Sequence, residues 1–370
     1  MDRKKMKVVL ITSGCKTNQA DSAMMSEDLS SRGIEFSHEF GKGDIYIINT
    51  CTVTHHADRD ARSAINRARD ANPSAKVIVT GCYAQNALSN GRVPAGENVY
   101  FLGNGEKENL VGLILGGCPP LEERCAGQDT GKTGGVTLRP ISGIRYMPRL
   151  HARPFLKIQD GCNYKCAYCI VPSVRGGSRS IPADEVTASL RRYEELGARE
   201  VVLTAVHLGD YGKDLDGGGM NLMKLLEKIS SLDMNLRLRL SSLEPHEIPA
   251  EMISLVGSSK TFCRHFHIPL QSGSDEILKK MKRPYSAAFY SEVAERIREL
   301  IPDAAIGMDV IAGFPTEGEI HFMETLSLVK SLDFTYMHVF PFSPREGTAA
   351  FEMPGHVPDG VKKERCAELI

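Results

Sequence analysis

The sequence predicts an α/β chain in two parts: an N-terminal open parallel-sheet domain over residues 1–117 and a partial (β/α)6 barrel over residues 154–370, separated by a linker at 118–153. Three observations predict it. Short apolar runs alternate with helical segments on both sides of the linker, and such β-α alternation builds parallel sheets covered by helices. The segment between loses the alternation to Gly, Pro and scattered charge. A chain of 370 residues, 42% apolar and 25% charged, is long enough to bury two cores.

In the first part the apolar runs are 8–11, 45–49, 77–80 and 99–102. Between the second and third, Ala57, Ala61, Ile65 and Ala68 fall on one face of a helix over 57–71, closed by Asn72 and Pro73. In the second part strands are expected at 155–159, 200–206, 236–240, 264–268, 305–311 and 335–341. Helices are expected at 183–197, 221–232, 247–257, 274–282, 286–300 and 317–331. Six such units fall short of a closed eight-strand barrel, so the barrel is open.

The net charge of −1 excludes a chain-wide basic field, so any nucleic-acid contact must come from local patches. Residues 1–7 are basic, but the apolar run behind them is too short, and lacks the cleavage site, for a signal peptide. No apolar stretch approaches the roughly 18 residues of a membrane helix. A cytoplasmic location follows, where thiols stay reduced and ten cysteines point to metal or catalysis rather than disulfides.

Cys162, Cys166 and Cys169 form a Cys-x3-Cys-x2-Cys loop just after the strand expected at 155–159, at the carboxyl end where barrel enzymes keep their chemistry. Three thiolates hold three corners of a 4Fe-4S cube and leave one iron open. A zinc loop is the bland alternative, and a ferredoxin run would need a fourth cysteine followed by proline. The loop, with Tyr168 before its last cysteine, resembles that of the radical S-adenosylmethionine (SAM) superfamily. That resemblance implies that the open iron binds SAM and that an electron from the cluster splits it to a 5′-deoxyadenosyl radical.

Cys15, Cys51 and Cys82 are far apart in sequence, yet each follows an expected strand by a few residues. Parallel strands present their carboxyl ends on one edge, so the three thiols are expected to converge. Their Gly, Thr and Asn neighbours suit loop ligands better than buried apolar cysteines. With Cys15-Lys16-Thr17-Asn18-Gln19, Asn49-Thr50-Cys51-Thr52-Val53-Thr54, Gly81-Cys82, Gln159-Asp160-Gly161-Cys162-Asn163 and Pro269-Leu270-Gln271-Ser272-Gly273-Ser274, the chain resembles the methylthiotransferase family over essentially its whole length. The resemblance implies two 4Fe-4S clusters. Cys15, Cys51 and Cys82 would hold the auxiliary one, which carries the sulfur of the product thioether. One SAM would methylate that sulfur and another would supply the radical. An unactivated carbon–hydrogen bond offers a side-chain base no proton near neutral pH, so such a step passes to a cofactor.

The same resemblance places around SAM Tyr168, Ser241 and Ser242, then Gln271, Ser272 and Gly273, and Gly313, Phe314 and Pro315; Asp309 and His267 are expected to project from their strands and line the cavity. Cys263, His265 and His267 alternate along one strand face, but a third metal is rejected because the family has none there. Residues 126–133 imitate a phosphate loop without the strand before it or the helix behind it, and read as linker. The expected partners are an external electron donor and the anticodon stem-loop of tRNA, with Arg139, Arg145, Arg149, Arg153, Arg175 and Arg179 as the phosphate contacts. The oligomeric state is open, a monomer preferred. The family's C-terminal RNA-binding β-barrel is expected to be absent, since the sequence stops at Ile370. Phe342 and the segment 316–318 depart from the family pattern.

By its motifs the chain is most like the branch that adds a methylthio group to carbon 2 of N6-threonylcarbamoyladenosine beside the anticodon. The alternatives are the isopentenyladenosine branch, the branch acting on an aspartate of a ribosomal protein and, from another class, a two-cluster electron carrier. The last would need a fourth ligand for each cluster. Cys118, Cys125, Cys263 and Cys366 are candidates only by elimination.

Overall fold

Two parallel-stranded units carry the chain in the computed structural model, which describes residues 6–94, 96–116, 153–215 and 219–370. The first has five strands, β1 (Lys7–Thr12), β2 (Glu35–Ser37), β3 (Ile45–Thr50), β4 (Lys76–Gly81) and β5 (Val99–Phe101), in the order β2-β1-β3-β4-β5. All of their pairings are parallel. Alternate strand residues face opposite sides. Val8, Leu10, Ile45, Ile47 and Ile78 pack with Met25 and Leu29 of helix α1 (Lys16–Ser31) and with Leu110, Val111 and Ile114 of α4 (Leu110–Gly116). Val9, Tyr46, Ile48, Val77 and Val79 pack on the other side against α2 (His55–Ala71) and α3 (Cys82–Ser89). The strand order reverses between β1 and β3, and the crevice at their carboxyl ends is where open α/β sheets take ligands.

The second unit places β6 (Phe155–Asp160), β8 (Glu200–Ala205), β9 (Arg237–Leu240), β10 (His265–His267), β11 (Ala305–Ala312) and β12 (Tyr336–Pro341) side by side. The pairs β6–β8–β9 and β10–β11–β12 are parallel ladders. Single parallel bridges, Leu238 to Phe262 and Ser242 to His267, join the two groups. These are the six expected strands. A two-residue strand, β7 (Arg179–Ser180), runs antiparallel on the outer edge of β6, so the array ends there and does not close. Its core is one continuous apolar cluster under helices α6 (Ala183–Glu195), α7 (Leu222–Ser230), α8 (Ala250–Ser258), α10 (Ala287–Leu300) and α11 (Glu319–Ser331), with α12 (Asp359–Leu369) at the end. Two short helices remain: α5 (Val171–Arg175) follows the cysteine loop, and α9 (Asp275–Lys280) follows the segment after β10.

Among the described residues no helix is long and apolar enough to cross a membrane. Cys118, Cys125, the stretch 126–133, Arg139, Arg145 and Arg149 lie outside the described residues.

Candidate active site at the meeting of the two units

Register brings the first cysteine set together. Asn49 pairs with Thr12 on one side and with Thr80 on the other, and Thr50 pairs with Gly81. Cys51 and Cys82 are the next residues on adjacent strands, while the Ser13 amide donates to the Asn49 carbonyl at 2.9 Å and brings Cys15 alongside. Two glycines make the approach possible. A β-carbon on Gly14 would lie 2.6 Å from the Cys51 β-carbon, and one on Gly81 would lie 2.2 Å from the Thr50 carbonyl oxygen. Both have φ near +100°, which L side chains rarely adopt (+104° and +95°). Cys15 caps α1 and Cys82 opens α3, so two of the sulfurs sit at the positive ends of helices.

Burial pushes the Cys51 thiol up to about 12, and neighbouring Cys82 and Cys15 add to the rise while backbone amides of Val53 and Thr52 oppose it. Such a thiol is no activated nucleophile, since reactive cysteines have depressed values. Metal coordination would deprotonate it outright.

The second set follows β6. The Cys162 amide donates to the Gly176 carbonyl at 3.0 Å and the Cys169 amide to the Cys166 carbonyl at 3.1 Å, folding the loop back on itself. Arg283 donates from Nη1 to the Cys166 sulfur at 3.1 Å. His207 faces the Cys162 sulfur at 3.6 Å and reaches Glu247 at 2.8 Å. Burial alone would lower His207, but Asp210, Cys162 and Glu247 hold it well above its usual range. Burial also lifts Cys169 to about 12, with Cys166 and Cys162 adding to it against the Val171 amide and Arg283. Two cationic side chains therefore face these sulfurs, a setting suited to thiolates.

The two sets meet. Cys82 shares a small buried cluster with Ile170 and Val174, the residues just past the second loop. Beneath them the units are joined by buried charge. Asp21 of α1 accepts from Lys107 at 2.7 Å, from Lys157 of β6, and from Arg175 at 3.2 Å. Asp160 accepts from Lys157 at 3.0 Å and from Arg175 at 2.7 Å. Burial alone would raise the Asp21 carboxyl, yet Lys107, Lys157 and Arg175 hold it well below the usual carboxylate range. Two carboxylates against three cations leave one positive charge in excess, within electrostatic reach of Cys82 and Cys15. A cluster held by thiolates is anionic, and the excess fits it. On a second front Arg345, in the loop after β12, donates to Thr52 Oγ1 at 2.8 Å and to Asp58 at 2.7 Å.

Around the barrel mouth the other expected residues divide. Tyr168 is half-buried beside Arg283 and packs against the cluster that holds Ala167, Ile277 and Phe314, and desolvation raises its phenol well above 10 despite that cation. Ser241 is buried with its Oγ lacking a hydrogen-bond partner among the described residues, while Ser242 is exposed. Gln271 holds φ of +66°, strained for a residue with a side chain, between backbone bonds to Asp309 and Ile311. Asp309 pairs with His267 Nε2 at 3.0 Å. Pro315 is buried next to Phe314, which packs edge-on against Phe342. Three residues face helices instead. The Ser272 hydroxyl meets Thr325 Oγ1 at 3.2 Å, a β-carbon on Gly273 would lie 2.6 Å from the Thr325 Cα, and one on Gly313 would lie 2.4 Å from Lys362 Cγ. These three serve packing against α11 and α12.

Arg175 is a correction. It is 3% exposed and bonded to Asn18, Asp21 and Asp160, so it joins the two units and is not available to RNA phosphates. The alternating Cys263, His265 and His267 do not gather as a trio. His265 and His267 share the Tyr336 hydroxyl, at 2.8 and 3.1 Å, while Cys263 lies toward Glu200 and Arg239. Arg283, His207, Asp21, Lys107 and Lys157 were not legible as site residues, because no local motif marks a charge whose partner is distant in sequence.

Comparisons with known proteins show the family and the fold. The model of "Uncharacterized protein family UPF0004" matches residues 7–98, and that of the "Radical SAM superfamily" matches residues 156–329. The chain is 37% identical to the threonylcarbamoyladenosine tRNA methylthiotransferase MtaB of Aquifex aeolicus, over 98% of this chain and 87% of that one. It is 32% identical to the tRNA-2-methylthio-N(6)-dimethylallyladenosine synthase of Desulfitobacterium hafniense, over 98% and 81%. In fold it is similar to the radical S-adenosylmethionine methyltransferase TsrM of Kitasatospora setae, with a TM-score of 0.63 and 15% identity over 94% of this chain and 77% of that chain.

Proposed function

The chain belongs to the radical SAM methylthiotransferase family, and on that premise we propose that it adds a methylthio group to carbon 2 of N6-threonylcarbamoyladenosine beside the anticodon of tRNA. Cys162, Cys166 and Cys169 would hold one 4Fe-4S cluster and Cys15, Cys51 and Cys82 a second, each trio leaving one iron open. When bound, the clusters and SAM supply the transferred sulfur, its methyl group and the radical that removes hydrogen from the acceptor carbon. The rest is the work of this chain's own side chains. Arg283 and His207 place positive charge against the Cys166 and Cys162 sulfurs. Lys107 and Arg175 of the Asp21–Asp160 network lie within electrostatic reach of Cys82, and Arg175 also of Cys15. Tyr168, Ser241, Ser242, Gln271, Asp309 and Pro315 would line the SAM site. Ser272, Gly273 and Gly313 would shape it from behind.

One observation carries the reading: Cys82 of the first set packs against Ile170 and Val174, just past the second, so the two trios adjoin and a base bound at their common edge would face both. A radical must act within contact distance of its target, and proximity of this kind is worth more than any single side-chain contact. The acceptor follows the more similar relatives, which are named for the threonylcarbamoyl nucleoside. The test is mass spectrometry of nucleosides from tRNA incubated with anaerobically reconstituted enzyme, SAM and dithionite. The 2-methylthio derivative of N6-threonylcarbamoyladenosine is expected. Modification of dimethylallyladenosine alone would move the enzyme to the other branch, and 5′-deoxyadenosine formation without any modified tRNA would refute transfer to tRNA.

A further inference from the structure

The barrel interior holds a cavity of about 490 Å³ at the amino ends of its strands. Its polar wall is Lys16, Arg153, Arg239, His265 and Tyr336. Arg239, His265 and Tyr336 stand on barrel strands and Arg153 just precedes the first barrel strand. Lys16 does neither: it is the first residue of α1, directly after Cys15, and it reaches into the cavity from the sheet domain. The charges are unequal. Arg239 and Arg153 share Glu200, at 2.8 and 3.4 Å, and Asp309 is paired with His267. Lys16 has no ion-pair partner among the described residues and its side chain lies in the electrostatic reach of Asp309, Arg239 and Arg153. His265, lowered to about 4 by burial and then by Arg239, His267 and Lys16, is neutral and adds a hydrogen-bonding ring without a charge. The wall thus offers two arginines already anchored by one carboxylate and a lysine with none.

The two relatives described above act on adenosines whose N6 groups differ in one respect that this wall would read. A threonine joined to adenine through its amino group keeps its carboxylate, whereas a dimethylallyl group is wholly apolar. We propose that the cavity is the subsite for the N6 substituent, with Lys16 and Arg239 binding its free carboxylate. The acceptor carbon would lie near Cys15 at the carboxyl edge, and Lys16, which follows Cys15 and reaches the cavity at the amino ends of the barrel strands, would lead the N6 group from one to the other. A carboxylate there makes charge-assisted bonds, and a dimethylallyl group would leave Lys16 desolvated and unpaired. SAM also carries a carboxylate. Its expected place is the open iron of the other trio, and the test separates the two sources.

The inference rests on the proposed function, and its test has two arms. In the first, binding of the free nucleoside N6-threonylcarbamoyladenosine to the reconstituted enzyme is compared with binding of its carboxamide and of N6-dimethylalyladenosine, for wild type, Lys16→Gln and Lys16→Arg at equal iron content. Wild type should prefer the carboxylate by about tenfold to a hundredfold. Lys16→Gln should erase that preference and Lys16→Arg should restore much of it. No preference in wild type, or one that Lys16→Gln leaves intact, overturns the subsite whatever the activity. In the second arm, tRNA methylthiolation by Lys16→Gln should show a raised KM for tRNA with the KM for SAM unchanged. A raised KM for SAM alone would assign the cations to SAM and overturn the inference. Carboxylate-selective binding by an enzyme that modifies no tRNA would refute the proposed function while the subsite stands.

Discussion

Gly81 sits where a β-carbon would fall 2.2 Å from the Thr50 carbonyl oxygen, so the residue before Cys82 is fixed by the path of the neighbouring strand. Gly81→Ala would meet both that contact and the +95° φ, and the account predicts a loss of roughly 2–3 kcal/mol. Urea unfolding of the variant checks it, and an unchanged midpoint would show that the crowded approach of β3 and β4 is not needed. At this scale the sequence was most legible where the chemistry is local. The Cys-x3-Cys-x2-Cys spacing and the loop settings of Cys15, Cys51 and Cys82 are readable because each ligand's neighbours announce a turn. It was least legible where a side chain's partner is remote. Nothing beside Arg283 signals Cys166, and Ser272 and Gly273 lie in a motif while their contacts are to Thr325.

The helix Lys16–Ser31 shows what sequence patterning cannot see at the scale of an element. Its buried positions are Thr17, Asn18, Ala20, Asp21, Ser22, Met25, Ser26 and Leu29, mostly polar, so no apolar stripe marks it. The periodicity that revealed His55–Ala71, with Ala61, Ile65 and Ala68 buried, is missing because this helix packs by hydrogen bonds and charge. Asn18 Nδ2 donates to the Ser13 and Thr50 carbonyls, both at 2.9 Å, and Asp21 gathers three cations. Asp21→Asn would strand those cations in the interior, at a cost of about 3–5 kcal/mol near neutral pH. The sign with pH follows from its depressed carboxyl. Stability from this carboxylate is present above the ordinary value of about 4 and is lost as pH falls from there through its depressed native value. Thermal unfolding of wild type and variant should therefore differ most at pH 7 and converge as the medium is acidified below about 4. Equal stability at pH 7 would show the network to be unneeded.

Over the whole molecule the two units are tied at two fronts, the buried Asp21–Asp160 network and the Arg345 loop after β12, which donates to Thr52 beside Cys51. Each unit follows from its own pattern of apolar runs. How they face each other does not, because the contacts that orient them are charged and far apart in sequence, and Arg175, an RNA-facing arginine by sequence, turns out to lie in the joint. The central claim is that this arrangement aims two separate cysteine trios at one chamber. The most direct measurement is the iron content and low-temperature electron paramagnetic resonance of anaerobically reconstituted wild type and of two triple variants, Cys15→Ala/Cys51→Ala/Cys82→Ala and Cys162→Ala/Cys166→Ala/Cys169→Ala. Wild type should bind about eight irons and each variant about four, with a distinct cluster signal surviving in each. A first-trio variant that still binds as much iron as wild type would contradict the account.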